Sequence, residues 1–160
     1  MPVAVPPGVR PTSARVREAL FSIVGHQLDG VRVLDAFGGS GLLALEAWSR
    51  GAEVVVVERD RRRSRRIKEV VESLQASIEV VTGDVTRRAA ALGVFDLVLV
   101  DPPYADAPAP VLQALAPAVG HRLVLEQPSD RPAPAQTGLQ LARTRTYGGT
   151  ALHLYEAQGG

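Results

Sequence analysis

The hydrophobic positions of this chain form short apolar runs that alternate with segments whose apolar residues recur at helical spacing. Val16, Leu20 and Val24 recur every four residues after Thr12 and Ser13, whose side chains can cap a helix, so a first helix is predicted after Pro11. Continuous apolar runs predict strands that are buried on both faces. These strands are 31–35, 53–58, 78–81, 95–101 and 122–126, and helices are predicted at 42–50, 59–74 and near 109–119.

This alternation predicts an α/β fold with a mostly parallel sheet, right-handed crossovers and helices on both faces. Two more β-runs flank Gly148 and Gly149 and predict an antiparallel hairpin at the C-terminus, which brings the sheet to seven strands. The Pro- and Ala-rich stretch 129–136 is predicted to be a flexible loop. We expect a flexible N-terminal segment over 1–10 and a single domain over 11–160.

Composition excludes several kinds of chemistry. The 160 residues include no cysteine and three histidines, so no disulfide, thiolate nucleophile or metal site is expected. The apolar runs are too short to span a bilayer, and the first residues lack the layout of a signal peptide, so we expect a cytoplasmic protein without a membrane partner. We also expect a monomer. The net charge is +1, yet cations cluster between Arg59 and Lys68. A solvated helix surface is favoured over a phosphate-binding role for this basic run.

Acidic residues follow three successive predicted strands, at the edge where parallel sheets bind ligands. Asp35 precedes a glycine cluster whose spacing differs from the G-x-G-x-x-G of dinucleotide-binding turns, and its charge suits a sulfonium better than a diphosphate. Glu58 is placed to accept hydrogen bonds from ribose hydroxyls, and Asp84 to meet an adenine edge. Each acid alone is equally explained as a helix cap or surface charge. Together they favour S-adenosylmethionine, with candidate cofactor-binding residues Asp35, Phe37, Gly38, Gly39, Ser40, Gly41, Glu58, Arg59, Asp84 and Val85.

The tetrad Asp101-Pro102-Pro103-Tyr104 follows the fourth strand and is the most specific motif in the chain. Its prolines fix φ and restrict the residue before them, so a carboxylate and an aromatic ring are held rigidly after the strand. An ordinary proline turn is the alternative. The tetrad resembles the catalytic motif of amino-methyltransferases that act on nucleic-acid bases. In that motif the acid and the first proline's carbonyl bond the target amine, and the aromatic ring stacks on an extruded base.

A wider resemblance is carried by the runs 10–21 and 34–52, the tetrad, and the ending 147–155. These closely resemble the bacterial RsmD family of class I methyltransferases, which have a Rossmann-like fold. The resemblance implies methylation of a guanine exocyclic N2 amine in 16S ribosomal RNA, free or in the assembling small subunit. It also implies nucleic-acid contacts by Arg10, Thr12, Arg15 and Arg17. The three arginines are candidates for contacts with phosphates or with the cofactor carboxylate, and simple helix solvation is the alternative for them.

One departure from the family concerns RNA binding. The family normally carries a basic β-hairpin before its Arg-Pro-Thr motif, and here nine residues precede Arg10. We therefore expect part of the surface that binds RNA to be missing. Either the chain is truncated, or other basic residues such as those after Glu58 bind RNA instead, or the substrate differs.

Other functions are weighed against this one. A methyltransferase of the same fold acting on adenine N6 in DNA or RNA would also use the tetrad, but no separate target-recognition domain fits in this length. A glutamine-modifying relative would carry Asn in place of Asp101. The glycine spacing and the tetrad disfavour an NAD-dependent oxidoreductase. A catalytically silent nucleic-acid-binding domain is disfavoured by the intact acids Asp35, Glu58 and Asp101.

Overall fold

The computed structural model describes residues 13–103 and 105–159, which divide after Val85 into two compact units. The expected flexible segment 1–10 lies outside the described residues. In the first unit, Ser13 begins the first helix, because its Oγ accepts the Val16 N–H at 3.1 Å. The elements of this unit are α1 (Ala14–Val24), β1 (Arg32–Asp35), α2 (Leu42–Ser49), β2 (Glu53–Glu58), α3 (Arg61–Ser73) and β3 (Ile78–Thr82).

Parallel pairing organises the strands of the first unit. β2 pairs with β1 on one side and β3 on the other, with Asp35 opposite Val56 and Glu58 opposite Thr82. Four consecutive valines, Val54 to Val57, are at most 4% exposed, as expected for a strand covered on both faces. This register brings the carboxyl ends of three strands to one edge.

The second unit contains a parallel pair and an antiparallel hairpin. Its elements follow α4 (Val85–Leu92), which spans the unit boundary, and are β4 (Phe95–Val100), α5 (Pro108–Leu115), a 3-10 turn (Ala116–Ala118), β5 (Val119–Pro128), β6 (Leu139–Tyr147) and β7 (Thr150–Ala157). β5 is parallel to β4, whereas β7 is antiparallel to both β5 and β6. The turn at Gly148 and Gly149 closes the predicted hairpin.

The strands form one mixed seven-stranded sheet in the order β3-β2-β1-β4-β5-β7-β6, which confirms the predicted fold class. Two details differ from the prediction. α4 was not predicted, because only Val85 and Ala89 are buried along it and its apolar signal is weak. β5 is longer than expected at both ends, since Val119 pairs with Phe95 of β4 and the pairing with β7 continues to Pro128.

The loop between β5 and β6 is tied to the sheet. The Gln127 amide nitrogen lies 3.2 Å from the Arg131 carbonyl and 3.0 Å from the Pro132 carbonyl, and the Tyr155 hydroxyl donates to the Pro134 carbonyl at 2.6 Å. Burial raises the pKa of Tyr155 to about 12, so this hydroxyl remains a donor. Three carbonyl groups of the segment 129–136, which was expected to be a flexible loop, are thus hydrogen-bonded to side chains of β5 and β7.

None of the helices in the part of the chain that the structure describes has the length and apolar character needed to cross a membrane.

Candidate active site

The buried carboxylate of Glu58 is the centre of the site in the first unit. Glu58 ends β2 and is 6% exposed. Its Oε1 accepts the Gly39 N–H at 2.9 Å and its Oε2 accepts the Asp60 N–H at 2.7 Å. Each carboxylate oxygen has room for a second donor. The carboxylate is therefore fixed by the backbone on both sides and keeps the capacity to accept two further hydroxyl groups.

The glycine turn after β1 brings the backbone close to this carboxylate. The Gly38 N–H donates to the Val57 carbonyl at 2.8 Å, which attaches the turn to β2. A Cβ on Gly38 would lie 2.7 Å from Val56 Cγ2 and 3.0 Å from Ile67 Cδ1, so only glycine fits without a shift. Gly41 closes the turn with φ +86° and begins α2. The turn is thus packed directly against β2 and α3.

The other predicted cofactor residues of this unit surround the turn. Asp35 is 1% exposed at the end of β1, and Ser40 is 8% exposed, with its Oγ 3.4 Å from the Leu42 amide nitrogen. Phe37 is half-buried, Val85 is buried, and Arg59 and Asp84 are exposed. The Gly83 N–H donates to the Glu58 carbonyl at 3.0 Å, which fixes the start of the segment that carries Asp84.

Asp60 is a residue of this site that the sequence did not reveal. Its backbone N–H holds Glu58, and its side chain caps α3 by accepting the Arg63 N–H at 3.0 Å. That bond, assisted by the charges of Arg63 and Arg62, lowers the pKa of Asp60. Aspartate three residues before a helical N–H is a capping signal that could have identified it.

The residues of the first unit suit S-adenosylmethionine in their chemistry. Two buried carboxylates, Asp35 and Glu58, lie at adjacent strand ends, where they can meet cationic groups and ribose hydroxyls.

Among residues 13–103 and 105–159, no cluster of three or more His, Asp or Glu side chains could hold a metal ion.

The predicted catalytic residues lie in the second unit, directly after β4. Asp101 is half-buried, Pro102 is buried and Pro103 is exposed. The Pro103 carbonyl accepts the Asp106 N–H at 2.9 Å, whereas no group in the described part of the chain donates to the Pro102 carbonyl. The Pro102 carbonyl therefore keeps its acceptor capacity within that part. Tyr104 lies outside the described residues.

The predicted nucleic-acid contacts are partly described. Arg15 is exposed and Arg17 half-buried on the first turn of α1, where the Arg17 N–H donates to the Ser13 carbonyl at 2.9 Å. Two residues apart on a helix, their side chains do not share a face. Arg10 and Thr12 lie outside the described residues.

Known proteins resemble this chain over most of its length. The family model described as Conserved hypothetical protein 95 matches residues 1–156. YlbH of Bacillus subtilis (strain 168), provisionally named an rRNA methyltransferase, is 32% identical over 94% of this chain and 89% of its own. Ribosomal RNA small subunit methyltransferase D of Escherichia coli (strain K12) is 38% identical over 65% of this chain; the match spans about half, 54%, of that protein.

A solved structure is similar over nearly the whole chain. The Escherichia coli protein YhhF, described provisionally as a methyltransferase, superposes with a TM-score of 0.85 at 30% identity and covers 98% of this chain and 91% of its own. The sequence of the chain and the fold of its described residues are therefore both similar to those of proteins named as methyltransferases.

Proposed function

Because the chain belongs to the Conserved hypothetical protein 95 family, the RsmD-like methyltransferases, we propose that it transfers a methyl group from S-adenosylmethionine to the exocyclic N2 amine of a guanine in small-subunit ribosomal RNA. The observation that carries the proposal is the buried Glu58 carboxylate, held by Gly39 and Asp60 beside an acid-led glycine turn. Relatives named for methylation of the small-subunit RNA support the substrate.

The first unit holds the cofactor in this proposal. Glu58 accepts hydrogen bonds from the ribose hydroxyls with the lone pairs that its two backbone donors leave unused. Asp35 faces the cationic methionine part, and the Gly38 to Gly41 backbone lies against the cofactor. Asp84 and the Val85 N–H bind the adenine edge. The cofactor supplies a methyl group already activated on a sulfonium.

The Asp101 to Tyr104 tetrad activates the amine. An exocyclic amine is a weak nucleophile, because its lone pair is delocalised into the ring. The Asp101 carboxylate and the Pro102 carbonyl accept its two N–H groups, which favours a pyramidal nitrogen with an available lone pair. Asp101 then takes the proton released on transfer, and Tyr104 stacks on the extruded base. Positioning of the amine in line with the methyl group supplies much of the acceleration.

RNA is held by residues outside the catalytic tetrad. Arg10, Thr12, Arg15 and Arg17 contact phosphates near the target base. The substrate is ribosomal RNA, either free or within the assembling small subunit.

The division between cofactor binding and catalysis is tested with Asp101→Ala. We expect methyl transfer at saturating substrate to fall by about 100-fold or more, because a base and an amine acceptor are lost, while cofactor affinity stays within a few-fold. Asp96→Asn, an exposed change on the preceding strand, serves as the matched control and should leave both quantities unaltered. Equal loss of transfer and cofactor affinity in Asp101→Ala would contradict the assignment.

A further inference from the structure

The first two turns of α3 carry a dense set of cations with no acid among them. The exposed side chains are those of Arg61, Arg62, Arg65, Arg66 and Lys68, while the acids Glu69 and Glu72 come later in the helix. No carboxylate of residues 13–103 or 105–159 forms an ion pair with any of these five cations. Asp60 attracts Arg62 at longer range. We call these five side chains the α3 basic face.

Helix stability does not explain this arrangement. The N-terminus of a helix is the positive end of its macrodipole and favours acids. Asp60 supplies one acid at the N-cap of α3, but the first turn of the helix itself has no acid and its last turn has no base. Arg61 and Arg65, like Arg62 and Arg66, are also four residues apart, a spacing at which like charges repel. Beyond the Asp60 cap, the cations of the first turn are therefore on the side of the helix dipole that does not favour them, and this disfavours a merely solvated surface.

The opposite side of α3 is occupied by the protein itself. Ser64 and Ile67 are 1% and 2% exposed, and Ile67 packs near Gly38. The helix has no apolar face left to enter a bilayer, as a membrane-surface helix requires. This favours a polyanion that binds through charge alone.

The start of α3, rather than its exposed face, adjoins the glycine turn within the same unit. The Asp60 N–H, one residue before α3, bonds the same Glu58 carboxylate that holds Gly39. A polyanion bound at the first turn of α3 therefore lies near the end of the helix that adjoins the residues to which we assign the cofactor.

We propose that the α3 basic face binds the phosphate backbone of the RNA substrate, with Arg61 and Arg65 each contacting a phosphate. Guanidinium groups match phosphate oxygens in pairs, and residues four apart on a helix project side by side. The proposal rests on the proposed function for the identity of the polyanion.

The test compares the salt dependence of RNA binding by three full-length proteins: the parent, Arg61→Gln/Arg65→Gln, and Arg143→Gln/Arg145→Gln. The last pair lies exposed on β6 and matches the change in net charge. The probe is a labelled single-stranded fragment of small-subunit ribosomal RNA, titrated between 50 and 200 mM salt.

Loss of two phosphate contacts should make the slope of log affinity against log salt shallower by about 1.4. The ratio of the parent's RNA affinity to that of the α3 variant should therefore fall about sevenfold between 50 and 200 mM salt. The β6 variant should change the slope by less than half as much, and both variants should bind S-adenosylmethionine like the parent. The α3 variant should also melt no lower than the parent, since a repulsive pair is removed.

Equal slopes for all three proteins would overturn the proposal, as would equal changes in the two variants. It would also be overturned if the α3 face bound vesicles of anionic lipid or an acidic protein but not RNA. Failure of the proposed function has a different signature, in which the parent binds RNA with the α3-dependent slope but transfers no methyl group.

Discussion

Gly38→Ala tests the close packing of the glycine turn against β2 and α3. The new methyl group would lie 2.7 Å from Val56 Cγ2, 3.0 Å from Ile67 Cδ1 and 3.4 Å from Glu58 Cβ. Val56 is fully buried and β-branched, so its side chain cannot rotate away at low cost. The turn must therefore shift relative to β2.

The expected cost follows from these contacts. Overpacking of a well-packed core costs about 1–3 kcal/mol, and alanine recovers part of this by restricting the unfolded chain, by roughly 0.4–1 kcal/mol. The net loss in free energy of unfolding is then about 1–2 kcal/mol, which lowers the melting temperature by about 2–8 °C for a chain of this size. Cofactor affinity should fall as well, because Glu58 and the Gly39 N–H move with the turn.

Thermal unfolding and calorimetric titration with S-adenosylmethionine measure both effects. Gly149→Ala is the matched control, since no atom lies within 4 Å of its added methyl group and its φ is not in the left-handed region. A Gly38→Ala protein with the melting temperature and cofactor affinity of this control would refute the packing argument.

Two further changes test other groups. Glu58→Gln replaces one acceptor oxygen with a donor, so it should lower the free energy of unfolding by about 1.5–3 kcal/mol and cofactor affinity by about tenfold or more. The control is Glu53→Gln, at the exposed start of β2. Equal losses of stability and cofactor affinity in the two variants would contradict the assignment of Glu58. Burial lowers the pKa of His153 below its ordinary 6.5 in the folded protein. As the pH falls, the imidazole is therefore protonated in the unfolded chain before it is protonated in the folded one. The free energy of unfolding should decrease below about pH 6.5 and become constant below the folded pKa. His153→Gln should flatten this pH dependence of the melting temperature, whereas the exposed His121→Gln should retain it.

The elements with a strong apolar signal were predictable, and those formed by tertiary pairing were not. Glu53 to Glu58 reads as a buried strand from its four valines and is one. The ends of β5 depend on pairing with β4 at Val119 and with β7 up to Pro128, which no local pattern encodes. The loop after β5 looks flexible from its prolines, but Gln127 and Tyr155, distant in sequence, bind its carbonyls.

In the candidate site, too, the features with a local sequence signal were predictable and those formed by tertiary contacts were not. Acids at strand ends and the glycine cluster are visible in the sequence, because strand ends follow from the apolar runs. The bonds of Glu58 to Gly39 and Asp60 depend on the register of β1 with β2 and on where α3 begins. The close approach at Gly38 depends likewise on side chains from two other elements.

The most direct test of the proposed activity is transfer of a labelled methyl group from S-adenosylmethionine to purified small-subunit RNA and to assembled small subunits, followed by nuclease digestion and identification of the labelled nucleoside. The account predicts a single labelled product, N2-methylguanosine, formed by the parent and lost in Asp101→Ala. Label in N6-methyladenosine, or no label in either substrate from a protein that binds the cofactor, would contradict it.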